Sequence, residues 1–267
     1  MIQRIETLDD PRVAAFRNLP DRTLRGESIF VTEGRSLTER LLASRYEAEA
    51  VLCAAQHAEE FAAKAAGRCP VYSAPERLLM EIVGFNFHLG VMGAGRRGTP
   101  ATLDDLMTRL DPVRPITLAI CPEVTKPENL GLVFRSAAAL GIDGVLLGRL
   151  CCDPFSRRAL RVSMGGLFRV PWGQVSDVPA AFQVLHRRWG VELAATVLDP
   201  AAERIDQIRW PARLGLVFGS EYDGLRHHWL ELCQRRVTIP MQPGTDSLNL
   251  GVAAGIFLYE ANRRERT

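Results

Sequence analysis

Lysine is almost missing from this chain. Only Lys64 and Lys126 occur, so arginine supplies 31 of the 33 basic residues. Guanidinium groups suit bidentate contacts with phosphate and carboxylate better than ammonium groups do; genome composition is the plainer account of the bias. Formal net charge is +2, so the whole-chain balance gives no sign of a strongly basic binder. Cysteine is sparse and unpaired in pattern. Six are present, no CxxC occurs, and Cys151-Cys152 is the only close pair, which excludes a zinc-ribbon site or a disulfide framework. Reduced thiols in a cytoplasmic protein are expected. The five histidines lack metal-ligand spacing, so no metal is expected. No apolar run reaches spanning length, and the N-terminal MIQRIETLDDPRVAAF carries acids where a signal peptide needs an apolar core, so no membrane association is expected. There is no GxGxxG after a strand, no P-loop and no GxSxG, which removes dinucleotide, nucleotide-triphosphate and serine-hydrolase readings.

What is present is an alternation of apolar strands and amphipathic helices, with hydrophobic residues at 47%. That alternation predicts an α/β fold. In the first half, strands are expected at residues 28–32, 50–54, 71–72 and 91–92, with helices at 37–44, 58–66 and 76–82. The stretch Gly93-Ala-Gly-Arg-Arg-Gly-Thr-Pro100 reads as a break. From Ile116 the pattern becomes strand–helix–strand: strands at 116–120, 144–148, 191–196, 214–218 and 236–239, helices at 130–140, 154–164, 178–189, 226–234 and 247–264. This predicts a parallel sheet covered on both faces. The boundaries expected are a first domain at 1–95, a linker at 96–115 and a second domain at 116–267.

Three segments of the second half carry polar residues where an α/β sheet binds ligands, at strand ends and helix starts. Lys126-Pro-Glu-Asn-Leu-Gly-Leu-Val-Phe-Arg135 opens a helix, with Pro127 in its first turn. By itself, Asn129 reads as a cap and Arg135 as a solvated helix residue. Phe218-Gly-Ser-Glu-Tyr-Asp-Gly-Leu225 runs from a buried strand into a polar turn, and Gly219 there would let a ligand approach the backbone. Ile239-Pro-Met-Gln-Pro-Gly-Thr-Asp-Ser-Leu-Asn-Leu-Gly251 is a rigid loop, and Ser247 and Asn249 stand at the start of the helix that follows, where capping is the plain reading.

In this order the segments resemble the three motifs of the SpoU/TrmH group of RNA ribose 2′-O-methyltransferases, within the SPOUT superfamily. Asn129, Gly131 and Arg135 match the first motif; Gly219, Glu221, Gly224 and Leu225 the second; Ile-Pro-Met followed by Ser-Leu-Asn the third, the most specific. Two departures stand out. Lys126-Pro replaces the usual Asp-Pro lead-in, and Tyr222 replaces a residue that is commonly small. Arg161-Val-Ser-Met-Gly-Gly-Leu-Phe168 resembles a further stretch between the first two motifs. Ile29-Phe-Val-Thr-Glu-Gly-Arg-Ser resembles part of the small ribosomal-protein-like, substrate-binding domain of many members.

The resemblance implies a C-terminal parallel-sheet domain with a deep trefoil knot, preceded by a small α/β RNA-binding domain. It implies S-adenosylmethionine as cofactor, held by Gly219, Ile239, Leu248, Thr196 and Met241. It implies Arg135 as the catalytic residue, supported by Asn129, Glu221, Ser247 and Asn249. RNA contacts are expected from Arg17, Arg25 and Arg35 and from Arg157, Arg158 and Arg161. The partners implied are RNA, ribosomal before transfer RNA, and a second copy of the chain in a cytoplasmic homodimer. A tRNA methyltransferase, a non-catalytic ribosome-assembly protein and a small-molecule α/β enzyme are the competing readings.

Overall fold

The computed structural model describes residues 2–19 and 27–263. In chain order the first elements are β1 (Ile2–Arg4), β2 (Ile29–Glu33), α1 (Arg35–Leu42), β3 (Ala48–Ala54), α2 (Ala58–Ala65), β4 (Val71–Ala74), α3 (Glu76–Val83) and β5 (Val91–Arg96). Then follow α4 (Leu103–Met107), β6 (Ile116–Cys121), α5 (Pro127–Leu140), β7 (Gly144–Gly148), α6 (Arg157–Ser163), α7 (Gly166–Arg169), β8 (Trp172–Val175) and α8 (Val178–Trp189). The last are β9 (Glu192–Thr196), β10 (Glu203–Arg204), β11 (Arg213–Val217), α9 (His227–Leu230), β12 (Arg235–Thr238) and α10 (Leu250–Arg263). The chain forms two compact units. One comprises Met1–Thr99 with Phe155–Phe168; the other comprises Pro100–Pro154 with Arg169–Thr267.

The first unit is built on a five-stranded mixed sheet in the order β1-β4-β3-β5-β2. β1, β4 and β3 run parallel, and β5 lies antiparallel to both β3 and β2. Side chains alternate faces along a strand. Leu52 therefore joins the cluster of Phe16, Val31, Leu79 and Ile82, while its neighbours Val51 and Cys53 join Phe61 and Val71 on the other face.

The stretch read as a break begins inside this sheet, because Gly93–Arg96 complete β5. Its glycines make room rather than flexibility. A Cβ at Gly95 would come within 2.6 Å of the Phe30 ring, and one at Gly93 within 2.8 Å of the Thr32 hydroxyl. Composition suggested a turn, but Gly at every second position here clears one sheet face for the helix and ring above it.

Phe155–Phe168 joins this unit although it lies between β7 and β8 in sequence. Phe155 stacks on Phe30 with ring centroids 4.7 Å apart, and Phe168 lies 5.6 Å from the same ring. Glu33, at the end of β2, is buried and ion-paired with Arg157 and Arg161 of α6. A buried carboxylate demands a cationic partner, and no basic residue next to it in sequence fills that role.

The second unit is a seven-stranded, all-parallel sheet ordered β10-β12-β9-β11-β6-β7-β8. Its central strands are near-continuous apolar runs, such as the fully buried Ile116–Cys121, as a sheet covered on both faces requires. Pro127 occupies the first turn of α5, and Gly141 ends that helix in the left-handed conformation (φ 72°). α10 returns to lie against α5, with Gly251 so near Leu132 that an added Cβ would stand 2.5 Å from its side chain. β8 and the two-residue β10 give no sequence signal, since two to four residues are too few for an alternation to register. α9 ends at Leu230, earlier than the pattern of residues 226–234 predicts.

Phe155→Ala should destabilise the first unit by about 3 kcal/mol, the usual cost of emptying a buried aromatic site. Hydrogen exchange would show it as faster exchange of the β2 and β5 amides with β6 and β11 unchanged. Loss of protection confined to β6 and β11 would contradict the unit boundaries.

Candidate active site

A cleft of about 350 Å³ lies in the second unit, where β9, β11 and β12 end. Thr196 closes β9, Phe218-Gly219 follows β11 and Ile239 follows β12. Parallel sheets bind ligands at this edge because the strands stop together there and loops replace them. All five residues expected to hold a cofactor (Gly219, Ile239, Leu248, Thr196 and Met241) line the cleft, as do Asn129, Glu221, Ser247 and Asn249. The volume falls in the range of small-molecule sites, about 300–1,000 Å³.

A directional chain of hydrogen bonds joins the three motifs. The Glu221 carboxylate accepts from the Asn129 amide nitrogen (3.0 Å), the Lys126 backbone N–H (3.0 Å), the Thr125 backbone N–H (3.2 Å) and the Thr125 hydroxyl (3.1 Å). An ionised carboxylate only accepts, so Asn129 must turn its NH₂ toward Glu221 and its oxygen away. That oxygen accepts from the Asn249 amide nitrogen at 2.8 Å. Asn249 in turn offers its oxygen to the backbone N–H groups of Gly251 and Val252, at 2.9 and 3.2 Å, in the first turn of α10. Each amide orientation is thus set by the one before it.

Partial burial pushes the Glu221 pKa up, but the hydrogen bonds from Asn129, Lys126 and Thr125 outweigh it, and the net shift is downward. The loop carrying Thr125 and Lys126 is itself held by neighbours. Cys151 donates to the Cys121 carbonyl at 3.0 Å and accepts from the Val124 N–H at 3.3 Å, and the Cys152 N–H donates to the Val124 carbonyl at 2.9 Å. Burial pushes the Cys151 thiol up to about 11 and Cys152 to about 12, so both remain thiols at neutral pH. No group of His, Cys, Asp and Glu among the described residues could hold a metal ion.

Two local readings change. Asn249 caps α10, which leaves the exposed Ser247 at the cleft without a hydrogen-bond partner among the described residues. Gly219 serves the turn as well as the cleft: a Cβ there would collide with the backbone of Gly224 and Leu225, where the loop closes through a Ser220 N–H to Gly224 carbonyl bond of 2.8 Å. Gly224 supplies the positive φ (64°) that this return needs.

Arg135 is not part of this cleft. It lies six residues beyond Asn129 on α5, roughly 9 Å along the axis at about 1.5 Å per residue, and is exposed. Among the described residues it makes no hydrogen bond or ion pair. Of the other arginines singled out in the sequence, Arg25 lies outside the described residues. Arg17 donates to the Asp10 carbonyl, and Arg35 pairs with Glu39 and Glu60. Arg157 and Arg161 pair with Glu33, and Arg158 is exposed on α6. Periodicity did not point to Leu198, Phe218 or Phe257, which line the cleft; their place at strand ends and on the inner face of α10 was the available signal.

The chain is similar to known proteins over most of its length. The model of the SpoU rRNA Methylase family matches residues 117–259. The chain is 33% identical over 270 residues to an uncharacterized tRNA/rRNA methyltransferase of Mycobacterium bovis, covering 98% of this chain and 92% of that one. It is 33% identical to a 23S rRNA (guanosine-2′-O-)-methyltransferase of Acinetobacter baylyi over 73% of this chain and 78% of that one. Among solved structures, an AdoMet-bound rRNA methyltransferase from Sinorhizobium meliloti superposes with a TM-score of 0.82 at 27% identity, covering 98% of both chains.

Glu221→Gln should lower stability at neutral pH by removing the acceptor that fixes the chain of amides. A carboxylate whose folded pKa is depressed stabilises fully above its unfolded value, about 4.3, and loses that contribution as pH falls through the folded value. The gap in urea midpoint between wild type and variant should therefore be widest near pH 7 and shrink below about pH 4. A gap constant across this window would show that the charge of Glu221 contributes nothing.

Proposed function

This chain belongs to the SpoU rRNA methylase family, and on that basis we propose that it methylates a ribose 2′-hydroxyl of ribosomal RNA, using S-adenosylmethionine. The observation that carries the reading is the Glu221–Asn129–Asn249 chain, which gathers one polar residue from each motif at a cleft of cofactor size. The cleft's mix of apolar wall, from Phe218, Ile239 and Met241, and backbone edge at Gly219 fits a nucleoside-bearing cofactor. When bound, that cofactor supplies an already activated methyl group. The protein's part is then position, orientation and management of one proton.

Asn129 and Asn249 hold the cleft wall rigid through Glu221. Ser247, with a free hydroxyl, is the group available to hydrogen-bond the incoming ribose or the cofactor. A guanidinium presents a planar fork of hydrogen-bond donors, so the role of Arg135 is to orient the ribose hydroxyl and its flanking phosphate. It stands outside its own chain's cleft, and we assign it to the cleft of a second copy. A stripe on α10 supports such a dimer: Val252, Ile256 and Tyr259, at helical spacing, are 50%, 36% and 49% exposed. Threading of the chain after β12 as a deep trefoil knot, RNA capture by the first unit with help from Arg158, and a cytoplasmic location complete the proposal. No helix among the described residues is long and apolar enough to cross a membrane.

Transfer RNA is the second reading, favoured by the tRNA/rRNA name of the mycobacterial relative. Labelled S-adenosylmethionine incubated with total RNA, then separated into ribosomal and transfer fractions, decides between them. Label in the ribosomal fraction, at a site resistant to alkaline cleavage, is expected. Label in neither fraction would remove the proposal. Arg135→Ala should lose methyl transfer by at least about a hundredfold (about 2.7 kcal/mol) while S-adenosylmethionine binds within about threefold of wild type. Ile256→Asp should convert a dimer to a monomer by light scattering and lose transfer with it; an active monomer would contradict the shared site.

A further inference from the structure

The two departures from the family pattern, Lys126 in the first motif and Tyr222 in the second, meet in space. The Lys126 ammonium lies 4.6 Å from the centroid of the Tyr222 ring. Both residues line the cleft, and both belong to its outer part. Tyr222 is 76% exposed, a high value for an aromatic side chain, and Lys126 is exposed as well. On the same cleft Leu198 is 63% exposed, while Phe218 is buried. The cleft therefore grades from a covered floor to a rim of one ring, one aliphatic side chain and one cation.

A ring left three-quarters in water at the rim of a cleft presents a planar face to whatever enters it. Lys126 is also unusual as one of only two lysines in a chain of 31 arginines. The other, Lys64, is neutralised by Glu39 and Glu60. Lys126 has no carboxylate partner among the described residues. The Glu221 side chain beside it is occupied by Asn129, by Thr125 and by the Lys126 backbone N–H. A cation over an aromatic face has a modest attraction of its own, and this one holds the ring at the rim without burying it.

We infer that Tyr222 is the stacking platform for the base of the RNA nucleotide entering the cleft, and that Lys126 steadies the ring and meets that nucleotide's phosphate. This rests on reading the cleft as the methyl-transfer site. An unstacked base is recognised in this way, by an aromatic face with a neighbouring positive charge, largely without regard to sequence. The two residues hold the incoming nucleotide and take no part in proton transfer.

The test uses the full chain and three variants, Tyr222→Ala, Tyr222→Phe and Lys126→Gln. A fluorescent single-stranded RNA oligonucleotide is titrated with S-adenosylhomocysteine present, S-adenosylmethionine binding is followed by calorimetry, and kcat and KM are measured on ribosomal RNA. Tyr222→Ala should weaken oligonucleotide binding about tenfold, the size of one base–aromatic stack, and raise KM with cofactor affinity unchanged within about twofold. Tyr222→Phe should match wild type. Lys126→Gln should lower the slope of log affinity against log salt by about 0.7, one phosphate contact on a single strand. The inference is overturned if Tyr222→Ala binds the oligonucleotide like wild type, if its loss falls on S-adenosylmethionine instead, or if Tyr222→Phe fails as badly as Tyr222→Ala. If no variant, wild type included, transfers methyl yet Tyr222→Ala still loses the oligonucleotide, the stacking role stands and the methyl-transfer reading falls. Transfer with a wild-type KM in Tyr222→Ala gives the reverse.

Discussion

The Glu221 carboxylate sits where three loops converge and can do nothing there except accept hydrogen bonds. Four donors from residues 125–129 satisfy it, and its charge fixes the sense of every bond that follows through Asn129 to Asn249 and the first turn of α10. Had the position held an amide, each link could flip independently and the cleft wall would have two nearly equal arrangements. An acceptor that cannot donate removes that degeneracy. The opposing cost is desolvation, the largest single influence on this carboxyl, and the hydrogen bonds together exceed it. The placement of Ser247, the entry of α10 against α5 and the shape of the cleft all depend on this group.

Behind that wall the sheet supplies rigidity. The strands β6, β11 and β9 are buried on both faces, and their aligned ends define one edge at which Thr196, Gly219 and Ile239 arrive together. The buried thiols of Cys151 and Cys121 belong to this scaffold. Both are enclosed, and the Cys151 thiol ties the Val124 N–H to the Cys121 carbonyl. The first unit applies the same logic around Glu33, a buried carboxylate satisfied by arginines from a distant part of the chain. That arrangement gives Arg157 and Arg161 internal partners on α6.

The sequence by itself determined the α/β alternation and most element positions, because burial on two faces writes continuous apolar runs for strands and 3.6-residue stripes for helices. β7 fell at the predicted residues 144–148, and α8 at 178–189. The resemblance to the three SpoU/TrmH motifs, and not the alternation, pointed to Asn129, Thr196, Glu221, Ser247 and Asn249, which line the cleft. Local pattern set a boundary across Gly93–Pro100, and the units do divide between Thr99 and Pro100, but the glycines of β5 belong to the sheet, because composition records that a side chain is missing and not what fills its place. Tertiary structure alone decided that Asn129, Glu221 and Asn249 form one chain, that Asn249 and not Ser247 caps α10, and that Phe155–Phe168 belongs with the first unit. It alone set Arg135 outside the cleft and brought Lys126 to Tyr222. Apart from the local α10 cap and the exposure of Arg135, these depend on contacts between residues some 90 to 130 positions apart, and spacing along a chain carries no information about which distant loops a parallel sheet will bring to the same edge.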